Sequence, residues 1–246
     1  VHTLYNFHFL RTVSSQLVEA IERLQITSLG KDSLEILRAF QQDNHSAQGV
    51  YLIHYEGNPS YLGKADNVAE RLEQHFFKLS GRKGIDLGAV SYKCILLDES
   101  MGTAANEEIL IRMFSERHPN MWNGSGFGSK DPGKERDKTR PGKFDQKYPI
   151  NEMFPVQLYG NQHNLSELLD NAKRQLPYVF RTEKIPDVLL QKRLEVPSTS
   201  LSAIDVLQIV VNALGPGWQG TILSFGIILY RKVEDYPYGF AVLPQS

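Results

Sequence analysis

The sequence predicts an α+β protein: a core read as strand, strand, helix, strand, helix, with helices before it and a second α+β region after it. Three observations predict this. Residues 10–42 carry apolar side chains at helical spacing. At residue 50 the period changes to a β-branched and aromatic run, followed by strong turn chemistry and a second short run. Residues 118–147 then form a long stretch rich in Gly, Pro and charge, beyond which helical and strand-like runs resume.

In chain order, Leu10, Val13, Leu17, Ile21 and Leu24 mark one face of a first helix. Thr27 to Gly30 reads as a break, and Ser33 as the cap of a second helix ending near Gln42. Val50 to Tyr55 is a strand, Glu56 to Pro59 a turn and Ser60 to Gly63 a second strand, together a hairpin. Asp66 is placed to cap a helix reaching about Leu79, which Ser80 and Gly81 end. Ala89 to Leu97 is a third strand, and a further helix runs from about Ala104 to Glu116. In the C-terminal part, helices are expected over 165–176 and 201–214. Strands are expected over 177–180, 221–230 and 238–243, the last two as a hairpin. The Leu-Ser starts at 165 and 201 hint at a degenerate repeat. Three regions follow: 1–48 helical, 49–147 a core with its loop, and 148–246 α+β.

Composition narrows the function. Of 246 residues, 41% are hydrophobic and 22% charged, a globular balance. Lys+Arg 27 against Asp+Glu 28 excludes a uniformly basic nucleic-acid binder but leaves room for a local patch. Residues 128–147 form one, with seven Lys/Arg against four Asp/Glu. Trp122, Phe127 and Phe144, interleaved with those cations, favour an arm that faces phosphates over a merely solvated loop. The single cysteine, Cys94, excludes an internal disulfide and a thiolate-rich zinc site. No apolar run reaches the roughly 18 residues of a membrane span, and no signal peptide is visible. The expectation is a soluble chain in a reducing, cytoplasmic compartment of a bacterial type of cell, with no membrane partner.

Several polar residues fall at telling places. Tyr51 and Tyr61 lie on the two paired strands, each next to a glycine motif: Gly49-Val50-Tyr51 and Tyr61-Leu62-Gly63. Arg71 and His75, four apart, share a helix face. Glu107 and Glu108 begin the next helix, and Asn123 follows Trp122. Phosphodiester hydrolysis needs a metal-binding carboxylate, a cation for the phosphoryl charge and a group that takes a proton from water. Taken singly, each residue reads more simply as packing, a surface pair or a helix-dipole contact; their joint order is what points to chemistry.

In that order the chain resembles the GIY-YIG nuclease superfamily. The resemblance runs from Gly49-Val50-Tyr51 and Tyr61-Leu62-Gly63-Lys64-Ala65 through Arg71, Glu107 with Leu110-Ile111, Pro119, Trp122 and Asn123. The loop Gly126-Phe127-Gly128 followed by Asp131-Pro132-Gly133, together with His75, is similar to the type II restriction endonucleases of that superfamily. The likeness covers residues 49–136, and Val50 and Leu62 stand where the family usually has isoleucine.

The resemblance implies a core with a three-stranded antiparallel sheet flanked by helices. It implies one Mg²⁺ or Mn²⁺ per active site, held by Glu107, with Glu108 the alternative. Arg71 would grip the scissile phosphate, and Tyr51 would be the general base. Tyr61 would bind phosphate or order the water. His75 would bond to phosphate or to Tyr51, and Asn123 would position Tyr51 or the site's backbone. One such centre cuts one strand, so double-stranded cleavage implies a homodimer at least during cutting. Lys64, Lys130, Lys134, Arg136, Lys138, Arg140 and Lys143 are the candidate DNA contacts, for phosphates or for guanines. The alternatives are a structure-specific or phage-defence nuclease on the same core, and a DNA-binding module whose catalytic core has decayed.

Overall fold

A computed structural model describes residues 2–4, 8–98, 101, 105–128 and 131–245. The chain divides into two compact units, 1–77 with 86–125, and 78–85 with 126–246. The expected N-terminal helices and most of the expected core thus fall in the first unit. The loop from 126 onward falls with the C-terminal region. The architecture is mixed α+β, with small antiparallel sheets flanked by helices.

The first unit opens with helix α1 (Phe9–Arg23). Val13, Leu17 and Ile21 are buried, while Leu10 and Leu24 at the ends of the apolar stripe stay exposed. Thr27 and Ser28, read as a break, form a two-residue strand β1 paired to Tyr92 and Ser91. Helix α2 (Lys31–Asp43) starts two residues before the expected cap, with Gly30 in the cap position. Ser33 sits inside its first turn, where its hydroxyl accepts from Gly30 N at 3.1 Å.

Strands β2 (Gly49–Tyr55) and β3 (Asn58–Ala65) form the hairpin, with Tyr51 opposite Gly63. The turn is tighter than its chemistry suggested. Only Glu56 and Gly57 lie outside the strands, both at positive φ (51° and 77°), as a type I′ turn requires. Helix α3 (Val68–Ser80) follows; β4 (Val90–Leu96) pairs antiparallel with β2, and α4 (Glu107–Arg117) completes the unit. The expected start of that last helix, Ala104, lies outside the described residues. The sheet order is β1-β4-β2-β3, so β2 is central and buried along its whole length. Its Val50 and Leu52 pack with residues of α1 and α4 in one core, and alternation turns Tyr51 to the opposite face.

The second unit has its own core, built on α6 (Leu165–Gln175) and α8 (Ala203–Leu214). Each helix begins with a capping box, Asn164 with Glu167 and Ser202 with Asp205. Each is also preceded by a three-residue strand, β6 (Gln162–Asn164) or β9 (Ser200–Ser202). Leu201 is therefore a strand residue rather than the first of its helix. Short strands β5 (Pro155–Gln157) and β8 (Arg193–Glu195) pair with β9 and β6. A one-turn helix α7 (Asp187–Leu190) lies between α6 and β8, and another, α5 (Lys143–Lys147), precedes them all.

The main sheet of this unit has the order β12-β10-β11-β7. The run 221–230, expected as one strand, is itself a hairpin: β10 (Gln219–Leu223) and β11 (Gly226–Tyr230) turn at Ser224 and Phe225. Strand β12 (Gly239–Val242) pairs on the far side of β10, and β7 (Val179–Thr182) runs parallel to β11. At Gly226 a side chain would collide with the Val179 carbonyl. Only glycine permits that approach, which is how an unbroken apolar run hides a turn.

Candidate active site

Tyr51, Tyr61, Arg71, His75, Glu107, Asn123 and Lys64 all belong to the first unit. Tyr51 is 1% exposed and His75 4%. Their Oη and Nε2 atoms are 2.8 Å apart. The Tyr61 ring completes the cluster, with centroids 6.2 Å from Tyr51 and 5.1 Å from His75. Two glycines make room for this packing. A side chain at Gly63 would overlap the Tyr51 hydroxyl and ring, and one at Gly49 would overlap the Ile95 carbonyl of β4.

Helix α3 supplies Arg71 and His75 on one face. Its cap is Asn67, whose Oδ1 accepts from Glu70 N at 3.2 Å, and not the neighbouring Asp66. Arg71 donates to Gln74 Oε1 at 3.0 Å, and Gln74 in turn donates to Glu70. The arginine charge is thus held by an amide and is not neutralised by it.

Glu107 and Glu108 both lie in the first turn of α4, and the structure separates them. Lys64 N donates to Glu107 Oε1 at 3.3 Å. Glu108 pairs instead with Arg112, 3.6 Å away and one turn on, at the surface. The cap of this helix is Asn106, which accepts from Ile109 N. The Lys64 ammonium donates to the Ala105 carbonyl at 3.2 Å.

Asn123 braces the free edge of the sheet. It accepts from Leu62 N at 3.0 Å and donates to Leu62 O at 2.8 Å, so its amide takes the place of a missing neighbour strand. That fixes β3 at Leu62, between Tyr61 and Gly63.

The electrostatics couple these groups. Burial raises the Tyr51 phenol well above its ordinary value. Tyr61 and the Glu107 carboxylate add to the rise, while Arg71 opposes it. Tyr61 is raised by burial and by Glu107, again against Arg71. Among the described residues, no group of three or more His, Cys, Asp or Glu side chains converges as a metal cage. What the site offers a cation is one exposed carboxylate, Glu107, beside two phenols. That donor set suits a hard ion that keeps most of its waters.

The candidate DNA contacts are placed unequally. Lys130 lies outside the described residues. Lys134 puts its ammonium 4.8 Å from the Tyr230 ring centre. Lys138 pairs with Glu234 at 2.8 Å and lies over Tyr236. Arg136, Arg140 and Lys143 are exposed, and among the described residues Arg140 reaches only the Gln146 amide oxygen, at 3.5 Å. The aromatic residues interleaved with these cations lie inside the protein and not on the surface of the arm. Trp122, Phe127 and Phe144 are 7%, 3% and 2% exposed. Trp122 packs on Tyr55, and Phe127 on Phe144 with centroids 4.9 Å apart. Burying so large an apolar surface outweighs any gain from leaving the rings in water.

The sequence reading missed Arg181. Its Nε donates to Asp131 Oδ2 at 2.8 Å, and Nη2 bonds the other oxygen of Asp131. Its Nη1 donates to Asp137 at 2.8 Å and to Tyr230 Oη at 2.9 Å. One guanidinium from β7 thereby ties down both ends of the segment 131–137. The only available signal was a charge inside a strand-like run, Val179-Phe180-Arg181-Thr182.

No protein-family model matches the chain, and no curated protein matches it. Among the described residues no helix is long and apolar enough to cross a membrane.

Proposed function

We propose that this protein is a metal-dependent endonuclease of the GIY-YIG kind and of restriction type, hydrolysing phosphodiester bonds in double-stranded DNA. The observation that carries the reading is the packing of Tyr51, Tyr61 and His75 into one cluster whose phenols feel both Arg71 and Glu107.

The raised Tyr51 pKa poses a problem for a general base, because a buried phenol is protonated at neutral pH. His75 offers the solution. With His75 in the tautomer that leaves Nε2 unprotonated, Tyr51 donates its proton to that nitrogen, and the phenol oxygen keeps a lone pair for the attacking water. As that water attacks phosphorus, its proton passes to Tyr51 while the Tyr51 proton moves to His75. A 2.8 Å contact is the right length for that transfer. Arg71 holds the non-bridging oxygens with a fixed, planar charge. Tyr61 orders the water, and Asn123 keeps the strand beneath it in register. Glu107 would hold Mg²⁺ or Mn²⁺, which supplies Lewis-acid stabilisation of the phosphoryl charge when bound. Cutting both strands then takes two copies of the chain.

Plasmid cleavage in Mg²⁺ or Mn²⁺, with a chelator control, tests the reading. Discrete fragments that vanish with chelator are the expected result. Intact plasmid at every metal concentration, from folded protein, would refute it.

A further inference from the structure

The cations of segment 131–147 divide into those already engaged and those still open. Lys134 rests on Tyr230, Lys138 on Glu234 and Tyr236, and Arg181 holds Asp131 and Asp137. These contacts fix the segment and are poor candidates for recognition. Among the described residues Arg136, Arg140 and Lys143 carry no ion pair, and of these Arg140 alone is oriented by a side-chain contact, the long one to Gln146.

Its surroundings form an open concavity. Arg140 stands on a cleft of about 460 Å³ with Pro141, Gln146, Pro149 and Tyr238 around it. The floor is anchored by a buried ion pair, Arg82 to Asp145 at 2.8 Å, and Arg82 also donates to the carbonyls of Tyr148 and Ser224 at 3.0 Å each. Asp145 is the immediate neighbour of Gln146 on α5. Gln146 is held in turn by its Nε2 donating to the Pro141 carbonyl at 2.6 Å. The amide oxygen aimed at Arg140 is therefore fixed in place. Two prolines, an anchored helix and a bound glutamine make a stiff seat for a single planar fork of donors.

A guanidinium presented in that way matches the paired acceptors O6 and N7 of guanine in the major groove, whereas a lysine supplies only a point charge. We propose that Arg140 reads a guanine in the target duplex and that Gln146 is its positioning residue. This rests on the nuclease reading above and assigns part of its sequence specificity.

The test selects cleaved sites from a randomised duplex library with the parent, Arg140→Lys, Arg140→Ala and Gln146→Ala, and measures cleavage of the parent's preferred site against salt. The parent yields a consensus containing G·C pairs. Arg140→Lys and Arg140→Ala lose the preference at one such pair per half-site and cut the parent's site roughly ten- to a hundredfold more slowly. Gln146→Ala weakens the same position only, with a smaller drop. Arg140→Lys keeps the salt dependence of the parent.

An unchanged consensus in the Arg140 variants overturns the inference. So does full rescue by lysine, or a loss uniform across sequences with a salt slope lower by about 1, which marks a phosphate contact. In each of these cases the parent's own consensus leaves the nuclease reading standing. A parent that cuts without any consensus, or does not cut, overturns the inference together with the restriction reading.

Discussion

Tyr51 and Gly63 face each other across the β2–β3 pair, and the space at the glycine is taken by the tyrosine hydroxyl. Gly63→Ala therefore pushes on the Tyr51 phenol, the proposed general base. It should destabilise by about 1–3 kcal/mol through overpacking and cut the single-turnover rate. Tyr51→Phe removes the hydroxyl and should lower kcat roughly 10²–10⁴-fold with DNA affinity kept. The two changes should be non-additive in stability, since phenylalanine relieves part of the clash. Additive denaturation midpoints would show that the contact does not matter. The glycine–tyrosine motifs and the Arg71/His75 spacing were legible because each is local. The Arg181 contacts were not, because its partners Asp131 and Asp137 lie 50 and 44 residues away in sequence. The resemblance puts Glu107 ahead of Glu108, but the residue types alone do not rank two adjacent carboxylates. Only the fold turns Glu107 toward Lys64 N and Glu108 toward Arg112.

Helix α3 carries Arg71 and His75 into the cluster, and its first turn depends on Asn67. Asn67→Ala should cost about 1 kcal/mol and Asp66→Ala much less, as thermal or denaturant unfolding would measure. Sequence placed this helix correctly and chose the wrong cap, since both adjacent residues are good N-caps and only backbone geometry selects one. In the second unit the Arg82–Asp145 pair shows how burial alters an element's energetics. Burial lowers the Arg82 pKa and raises that of Asp145, so for both partners desolvation outweighs the attraction. Asp145→Ala alone leaves a buried charge and should cost about 3–5 kcal/mol. Joint replacement by Met and Leu should be close to neutral. The β10–β11 hairpin was illegible for a related reason: Ser224 and Phe225 are weak turn signals inside an apolar run, and the Gly226 contact with β7 is tertiary.

At the scale of the whole molecule, each unit holds its own core, and the candidate catalytic residues all lie in the first. The strand and helix order of that unit was readable because its elements are sequential neighbours with distinct periods. The division at residue 126 was not, because the aromatic side chains of the loop pack inward and make it part of the second unit's structure. Both units bury phenols. Tyr51, Tyr61 and Tyr178 are raised above their ordinary 10.0 by burial, and burial pushes Cys94 up to about 11. A raised pKa contributes stability that is complete below the unfolded-state value and is lost as pH climbs past it. Unfolding followed across pH should therefore show these groups contributing no change between pH 6 and 8, then a loss of stability from about pH 9–10 upward, smaller in Tyr51→Phe. A parent and variant with identical alkaline profiles would contradict that assignment.

In the proposed reaction Glu107, beside the tyrosine cluster, carries the metal-dependent chemistry. The most direct measurement compares Glu107→Ala with Glu108→Ala in single-turnover plasmid cleavage, alongside DNA binding in Ca²⁺. Glu107→Ala should bind DNA and not cut, while Glu108→Ala should cut within a few-fold of the parent. Silence of Glu108→Ala with cutting by Glu107→Ala would contradict that role for Glu107.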